Sequence, residues 1–238
     1  MSVHAAEHNL GIVVANTWPI LLDFDGPVTY FFINGRNQRL ASQLRKVLDE
    51  AQVMLPREVT TTLDPLAVLR WAALHTPSKV SRAVDAACVA GEYQCADESE
   101  PTVGAIDFLQ ACREAGRPVL IVSNNAPGPI AQFLDRYHLD HLVGRVIGRA
   151  PGRPDLMKPD PHMIDEAISI LDQPVDRCVL IGDSITDIEV AQRTGARSIG
   201  YAKHQRRGEE LATAGADALI TQMSDLAGTI RADALQRT

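Results

Sequence analysis

Short apolar, β-branched runs alternating with amphipathic stretches are the feature that most narrows what this chain can fold into. The runs are 19–24, 118–123, 142–147, 177–181, 196–202 and 218–220. Strands buried on both faces read as continuous apolar runs, whereas half-exposed strands alternate. The stretches between them carry apolar residues near helical spacing. In 102–115 these are Val103, Ile106, Leu109 and Ala111, with Gly116 as a stop. In 161–171 a proline occupies a permitted first-turn position. Strand and helix signals in alternation require crossover connections, so the expectation is an α/β fold with a doubly wound parallel sheet.

One region breaks the alternation. Segments 39–51, 64–75 and 78–90 have helical spacing, and no convincing strand lies between Asn34 and about Glu100. This predicts a small inserted helical cap at 34–100, returning through the acidic run Asp97-Glu98-Ser99-Glu100-Pro101, with the core formed by 18–33 and 101–238. Residues 1–17 are expected to be an extension, partly ordered at best. Of the 238 residues 45% are hydrophobic and 22% charged, an ordinary globular balance rather than a disordered one. A formal net charge of -7 disfavours a nucleic-acid partner, which demands a basic face, while leaving room for a local cationic pocket. Cys88, Cys95, Cys112 and Cys178 lack the close pairing of a zinc site and are expected as reduced structural thiols. The start has no basic-then-apolar signal pattern, and the apolar runs fall short of the roughly 20 residues of a membrane span. A cytoplasmic protein with no membrane partner is expected.

Four polar islands punctuate this pattern. Asp23-Phe24-Asp25-Gly26 follows the first run, where open α/β sheets bind ligands, and offers a nucleophile and a proton donor to one place. A strand-ending turn has the same composition. Its likeness to a calcium loop ends at Pro27, Val28 and Thr29, which supply no ligand pattern. Ser123, Asn124 and Asn125 end the second run and can either hold anionic oxygens or cap the following helix. Lys158 lies in Met157-Lys158-Pro159-Asp160-Pro161, an inward charge or a solvated loop. Gly182-Asp183-Ser184-Ile185-Thr186-Asp187 places two carboxylates after a fourth run; hard oxygens there suit Mg²⁺, and helix capping is the plainer role.

In this order the four islands resemble the haloacid dehalogenase-like superfamily, over nearly the whole chain from Pro19 to about Leu226. The resemblance implies a phosphatase with a Rossmann-like core, acting on a small phosphorylated metabolite. Asp23 would be the nucleophile that becomes an aspartyl-phosphate, and Asp25 the general acid and base. Ser123, Asn124 and Lys158 would bind the phosphate. Mg²⁺ would be held by Asp23, by Asp25 through its backbone carbonyl, and by Asp183, with Asp187 in support. Where members usually carry Thr or Val, this chain has Pro27, which removes a side-chain support of Asp25; Thr29 is the neighbour that could replace it.

A phosphomutase or phosphotransferase of the same superfamily would use the same islands, and a catalytically silent binding module would keep the fold without needing them. A dehalogenase would need neither Asp25 nor Asp183. A phosphonate hydrolase would need a cap lysine in a recognisable setting, which Lys46 and Lys79 lack. Among the phosphatases the second and third islands resemble phosphoglycolate phosphatase-like members. Arg36 and Arg39 are candidates to meet a second anionic group, with a solvated surface the default for both. The run from Lys203 to Arg207 is expected as a solvated loop. Both a monomer and a homodimer are compatible with the pattern.

Overall fold

The computed structural model describes residues 9–237. Helix α1 (Leu10–Asn16) leads into strand β1 (Ile20–Leu22). Four helices follow: α2 (Arg36–Glu50), α3 (Arg57–Thr61), α4 (Pro65–His75) and α5 (Ser78–Glu98). Strand and helix then alternate through α6 (Ala105–Glu114), β2 (Val119–Val122), α7 (Pro127–Arg136), β3 (Arg145–Ile147), α8 (His162–Leu171) and β4 (Val179–Gly182). The chain ends with α9 (Ile185–Thr194), β5 (Arg197–Tyr201), α10 (Gln205–Ala214), β6 (Ala218–Ile220) and α11 (Met223–Arg237).

The strands form one parallel sheet in the order β3-β2-β1-β4-β5-β6. Because successive side chains alternate across a strand, the apolar runs feed two cores at once. Ile20, Leu22, Val119, Ile121 and Ile181 enter one, with Phe108 of α6, Phe133 of α7 and Leu226 of α11. Leu21, Leu120, Val122 and Leu180 enter the other, with Ile164 of α8 and Val190 of α9. The strand order reverses between β1 and β4, so the loops leaving these strands splay apart and open a crevice at their carboxyl ends.

Helices α2, α4 and α5 pack around a separate core that includes Leu40, Leu44, Leu48, Leu69, Val84 and Cys88. The leucines at four-residue spacing form one stripe of α2, which is why this inserted cap folds against itself. Arg36, read above as a surface or substrate-facing residue, is instead buried at the neck of the insertion. It donates to the Ile33 and Cys95 carbonyls and to Ser99 Oγ, tying the segment entering the cap to the segment leaving it. Arg39 is the exposed partner of Glu98. The predicted return through 97–101 starts later than expected, because α5 runs on through Glu98.

Residues 1–8 of the predicted extension lie outside the described residues, but Leu10–Asn16 is an ordered helix. Val13 and Val14 enter the core, and buried Arg117 donates to the Val14 and Thr17 carbonyls while pairing with Asp233 of α11 at 2.7 Å. All four cysteines are buried and free.

Candidate active site

Asp23 directly follows β1. Its backbone N–H donates to the Ile181 carbonyl of β4 at 2.8 Å, continuing the sheet and fixing the side chain at the crevice. The Phe24 N–H donates to Asp23 Oδ1 at 2.8 Å. Two residues on, Asp25 Oδ1 accepts from the Phe31 N–H at 2.7 Å. The chain turns between them at Gly26, whose φ of +107° suits only glycine, and a Cβ there would lie 2.5 Å from Asp183 Cγ. The support that Pro27 cannot give to Asp25 therefore comes from a backbone amide. Thr29 does not supply it, since its hydroxyl donates to the Glu100 carbonyl.

Ser123 and Asn124 leave β2, the neighbouring strand. Ser123 is buried and its Oγ donates to Asn125 Oδ1 at 3.2 Å. Asn124 turns its amide onto the backbone of Lys158: its Oδ1 accepts from the Lys158 N–H at 2.7 Å, and its Nδ2 donates to the Lys158 carbonyl at 3.4 Å. This clamp aims Lys158 inward between its prolines. The side chain is 1% exposed, and its ammonium donates to the Val122 carbonyl at 2.9 Å and pairs with Asp187 at 2.6 Å and Asp23 at 2.9 Å.

From β4 come Asp183 and Asp187. The first turn of α9 is a capping box, in which Asp187 Oδ2 accepts from the N–H and hydroxyl of Ser184 while its Oδ1 holds Lys158. Asp187 thus both caps the helix, the plainer reading of this island, and anchors the lysine. Asp183 faces Lys203, whose ammonium lies 3.5 Å from its Oδ2 and 3.7 Å from the centroid of the Tyr30 ring. Lys203, expected in a solvated loop, stays exposed but is drawn to the site by that charge and ring, whereas Gln205, Arg206 and Arg207 of the same expected loop begin helix α10.

Carboxylate oxygens of Asp23, Asp183 and Asp187 lie within 4.8 Å of one another; the Asp25 carboxyl is not part of this set. Such crowding is unfavourable without positive charge. Burial, reinforced by Asp187 and opposed by Lys158, pushes the Asp23 carboxyl up to about 7. Burial and the neighbouring Asp25 push Asp183 up to about 7. Burial also raises Asp25, to about 6, against the stabilising Phe31 amide. For Lys158 burial opposes the charge, but Asp187 and Asp23 outweigh it and hold the ammonium protonated above its usual range. A cluster of hard carboxylate oxygens beside a sheet end is a donor set that fits a divalent cation.

The sequence-predicted residues Asp23, Asp25, Ser123, Asn124, Lys158, Asp183 and Asp187 thus lie just beyond β1, β2 and β4, in the first turn of α9, or in the Lys158 loop packed on them. Sequence reading placed Asn125 in the second island without a role of its own, and it missed the Phe31 amide and two buried residues behind the Ser123 loop, Glu92 and Arg149. Arg149 had a detectable signal, two residues past the end of β3. Glu92 had none, being one polar residue on a mixed helix.

Comparison with known proteins gives the family and the fold. Residues 20–195 match the haloacid dehalogenase-like hydrolase family. The chain is 28% identical over 187 residues to a phosphoglycolate phosphatase of Caulobacter vibrioides, covering 75% of this chain and 73% of that protein. It is 30% identical over 128 residues to the pyrophosphatase PpaX of Listeria monocytogenes, covering 54% of this chain and 58% of that protein. In fold it is similar to a predicted phosphatase from Clostridium acetobutylicum, with a TM-score of 0.67, 18% identity, and coverage of 90% of this chain and 98% of that one. With a family match over most of its length, the chain belongs to the haloacid dehalogenase-like hydrolases.

Proposed function

We propose that this hydrolase is a Mg²⁺-dependent phosphatase that cleaves a small phosphorylated metabolite through a phosphoryl group carried on Asp23, acting in the cytoplasm as a monomer or homodimer. The observation that carries this reading is the buried Lys158 ammonium. It is held against Asp23 and Asp187 in a crevice that Ser123 and Asp183 also line. One cation fixed among carboxylates suits an anionic substrate that must approach a carboxylate nucleophile.

In this mechanism Asp23 attacks phosphorus while Lys158 and the Ser123 hydroxyl receive the non-bridging oxygens. Asp25 gives its proton to the leaving oxygen, then withdraws one from the water that cleaves the acyl phosphate. The Phe31 amide orients the Asp25 carboxyl for both transfers. Asn124, placed by the sequence reading among the phosphate ligands, acts in this proposal by clamping the Lys158 backbone. Asp23, Asp183 and the Asp25 carbonyl would hold Mg²⁺, supported by Asp187, and the bound ion would neutralise charge shared by carboxylates and phosphate. The phosphoglycolate phosphatase likeness makes small phosphorylated acids the first substrates to assay.

The test is phosphate release from p-nitrophenyl phosphate, with and without Mg²⁺, by the native protein and by Asp23→Asn. Release that requires Mg²⁺ and disappears in Asp23→Asn is expected; equal rates in the two proteins would overturn the nucleophile assignment.

A further inference from the structure

Cap and core meet at a buried ion pair that the mechanism above does not use. Glu92 of α5 is fully buried, and Arg149, in the loop after β3, is 2% exposed. Arg149 Nη1 and Nη2 donate to Glu92 Oε1 and Oε2 at 2.8 and 3.1 Å, the two-pronged geometry of a guanidinium on a carboxylate. A second cap residue, Asp85, lies 3.5 Å from Arg149 Nε.

Four further hydrogen bonds of the pair fall on the loop that presents Ser123. Glu92 Oε1 accepts from Asn125 Nδ2, and Glu92 Oε2 accepts from the Ala126 N–H, each at 3.1 Å. Arg149 Nη1 donates to the Asn124 carbonyl at 2.9 Å, and the Arg149 N–H donates to the Asn125 carbonyl at 2.8 Å. A carboxylate can only accept, so Glu92 obliges Asn125 to turn its NH₂ toward the cap. The amide oxygen must then face Ser123 Oγ, which donates to it at 3.2 Å while accepting from the Asn125 N–H at 3.3 Å. When a phosphate oxygen takes over the Ser123 hydrogen, the Asn125 N–H still holds the oxygen in place. Arg149 meanwhile steadies Asn124, whose side chain clamps Lys158.

We infer that Glu92 is a positioning residue contributed by the cap. Through Asn125 and Arg149 it orients the Ser123 hydroxyl and the Lys158 loop, so the phosphate pocket is assembled only while α5 is docked. This rests on the phosphatase reading and adds to it the residue that couples cap to phosphate.

The Mg²⁺-loaded full chain tests it, with inorganic phosphate as the binding probe. Glu92→Gln keeps the shape but lets an amide donate as well as accept, so it no longer dictates how Asn125 sits. It should lower kcat/KM for p-nitrophenyl phosphate and weaken phosphate binding by about 10- to 100-fold, the range for supporting partners of a site. Asn125→Ala spares the ion pair and cuts only the link to Ser123. It should produce the same loss of phosphate affinity with a smaller drop in melting temperature, which keeps the test open if Glu92→Gln folds poorly. Asp233→Asn removes a buried partner far from the site and should lower the melting temperature without changing phosphate affinity. A Glu92→Gln or Asn125→Ala protein that folds and binds phosphate as the native chain does would overturn the inference. Native turnover in Asp23→Asn would instead overturn the phosphatase mechanism, whatever Glu92 does.

Discussion

At Gly26 a missing Cβ decides the geometry of two carboxylates. The turn takes the backbone to φ +107°, bringing it so close to Asp183 that a methyl group would meet that side chain at 2.5 Å. Gly182, at the end of the neighbouring strand β4, is constrained by space alone, since a Cβ there would fall on the Asp187 carboxyl. Gly26→Ala is therefore expected to cost about 1–3 kcal/mol in backbone strain. By displacing Asp183 it should also lower phosphate turnover about 100-fold, the scale of an ångström-sized misplacement. Urea unfolding and p-nitrophenyl phosphate kinetics check the two effects separately. The acidic pair and its glycine were legible in the sequence because chemistry and turn propensity demand the same residues there. Lys203 was not, since nothing local distinguishes a lysine drawn onto Asp183 and Tyr30 from a solvated one.

Among the elements, the strands were legible because a sheet covered on both faces needs unbroken apolar runs. Helices were legible only where their caps or stripes were strong. The short α3 gave too few turns to show a period. α1 reads as an extension in the sequence because its anchors are remote: Arg117 precedes β2 and Asp233 lies on α11. Burial pushes the Asp233 carboxyl up, but hydrogen bonds from Arg237 and Arg117 more than reverse this and hold it below the usual carboxylate range. A depressed folded-state value adds stability that is complete above the unfolded value of about 4 and is lost as the pH falls through the lower folded one. Asp233→Asn should cost about 3 kcal/mol near neutral pH, because it strands Arg117. The gap from the native protein should narrow steadily below about pH 4. Urea midpoints at neutral and acid pH measure it, and a pH-independent gap would contradict the account.

For the whole molecule, the crevice is a place where folding concentrates negative charge. Without a divalent cation, Asp23 and Asp183 have carboxyls raised to about 7. A raised folded-state value means that the folded protein holds those protons more tightly than the unfolded chain. The metal-free protein should therefore lose stability as pH rises from about 4 to about 7. Mg²⁺ should restore it, by about 2.7 kcal/mol at a hundredfold excess over its dissociation constant. Melting curves in EDTA and in Mg²⁺ across this pH range test the prediction; Asp183→Asn should show a smaller Mg²⁺ effect.

The neck of the inserted helices has a further meaning. Arg36 staples the outgoing and returning segments together, and the Thr29 hydroxyl holds the Glu100 carbonyl beside them. Taken alone, such a joint describes a cassette: helices between the two segments could be exchanged for others while the sheet beneath went on folding. Glu92 sets the condition on that freedom. A transplanted cassette would have to carry a carboxylate to the same spot, or the host sheet would receive a new lid over a disassembled pocket. Modularity in this architecture is thus licensed at the neck and vetoed at the seam, where Glu92 of α5 reaches the Ser123 loop and Arg70 of α4 donates to the Lys158 carbonyl.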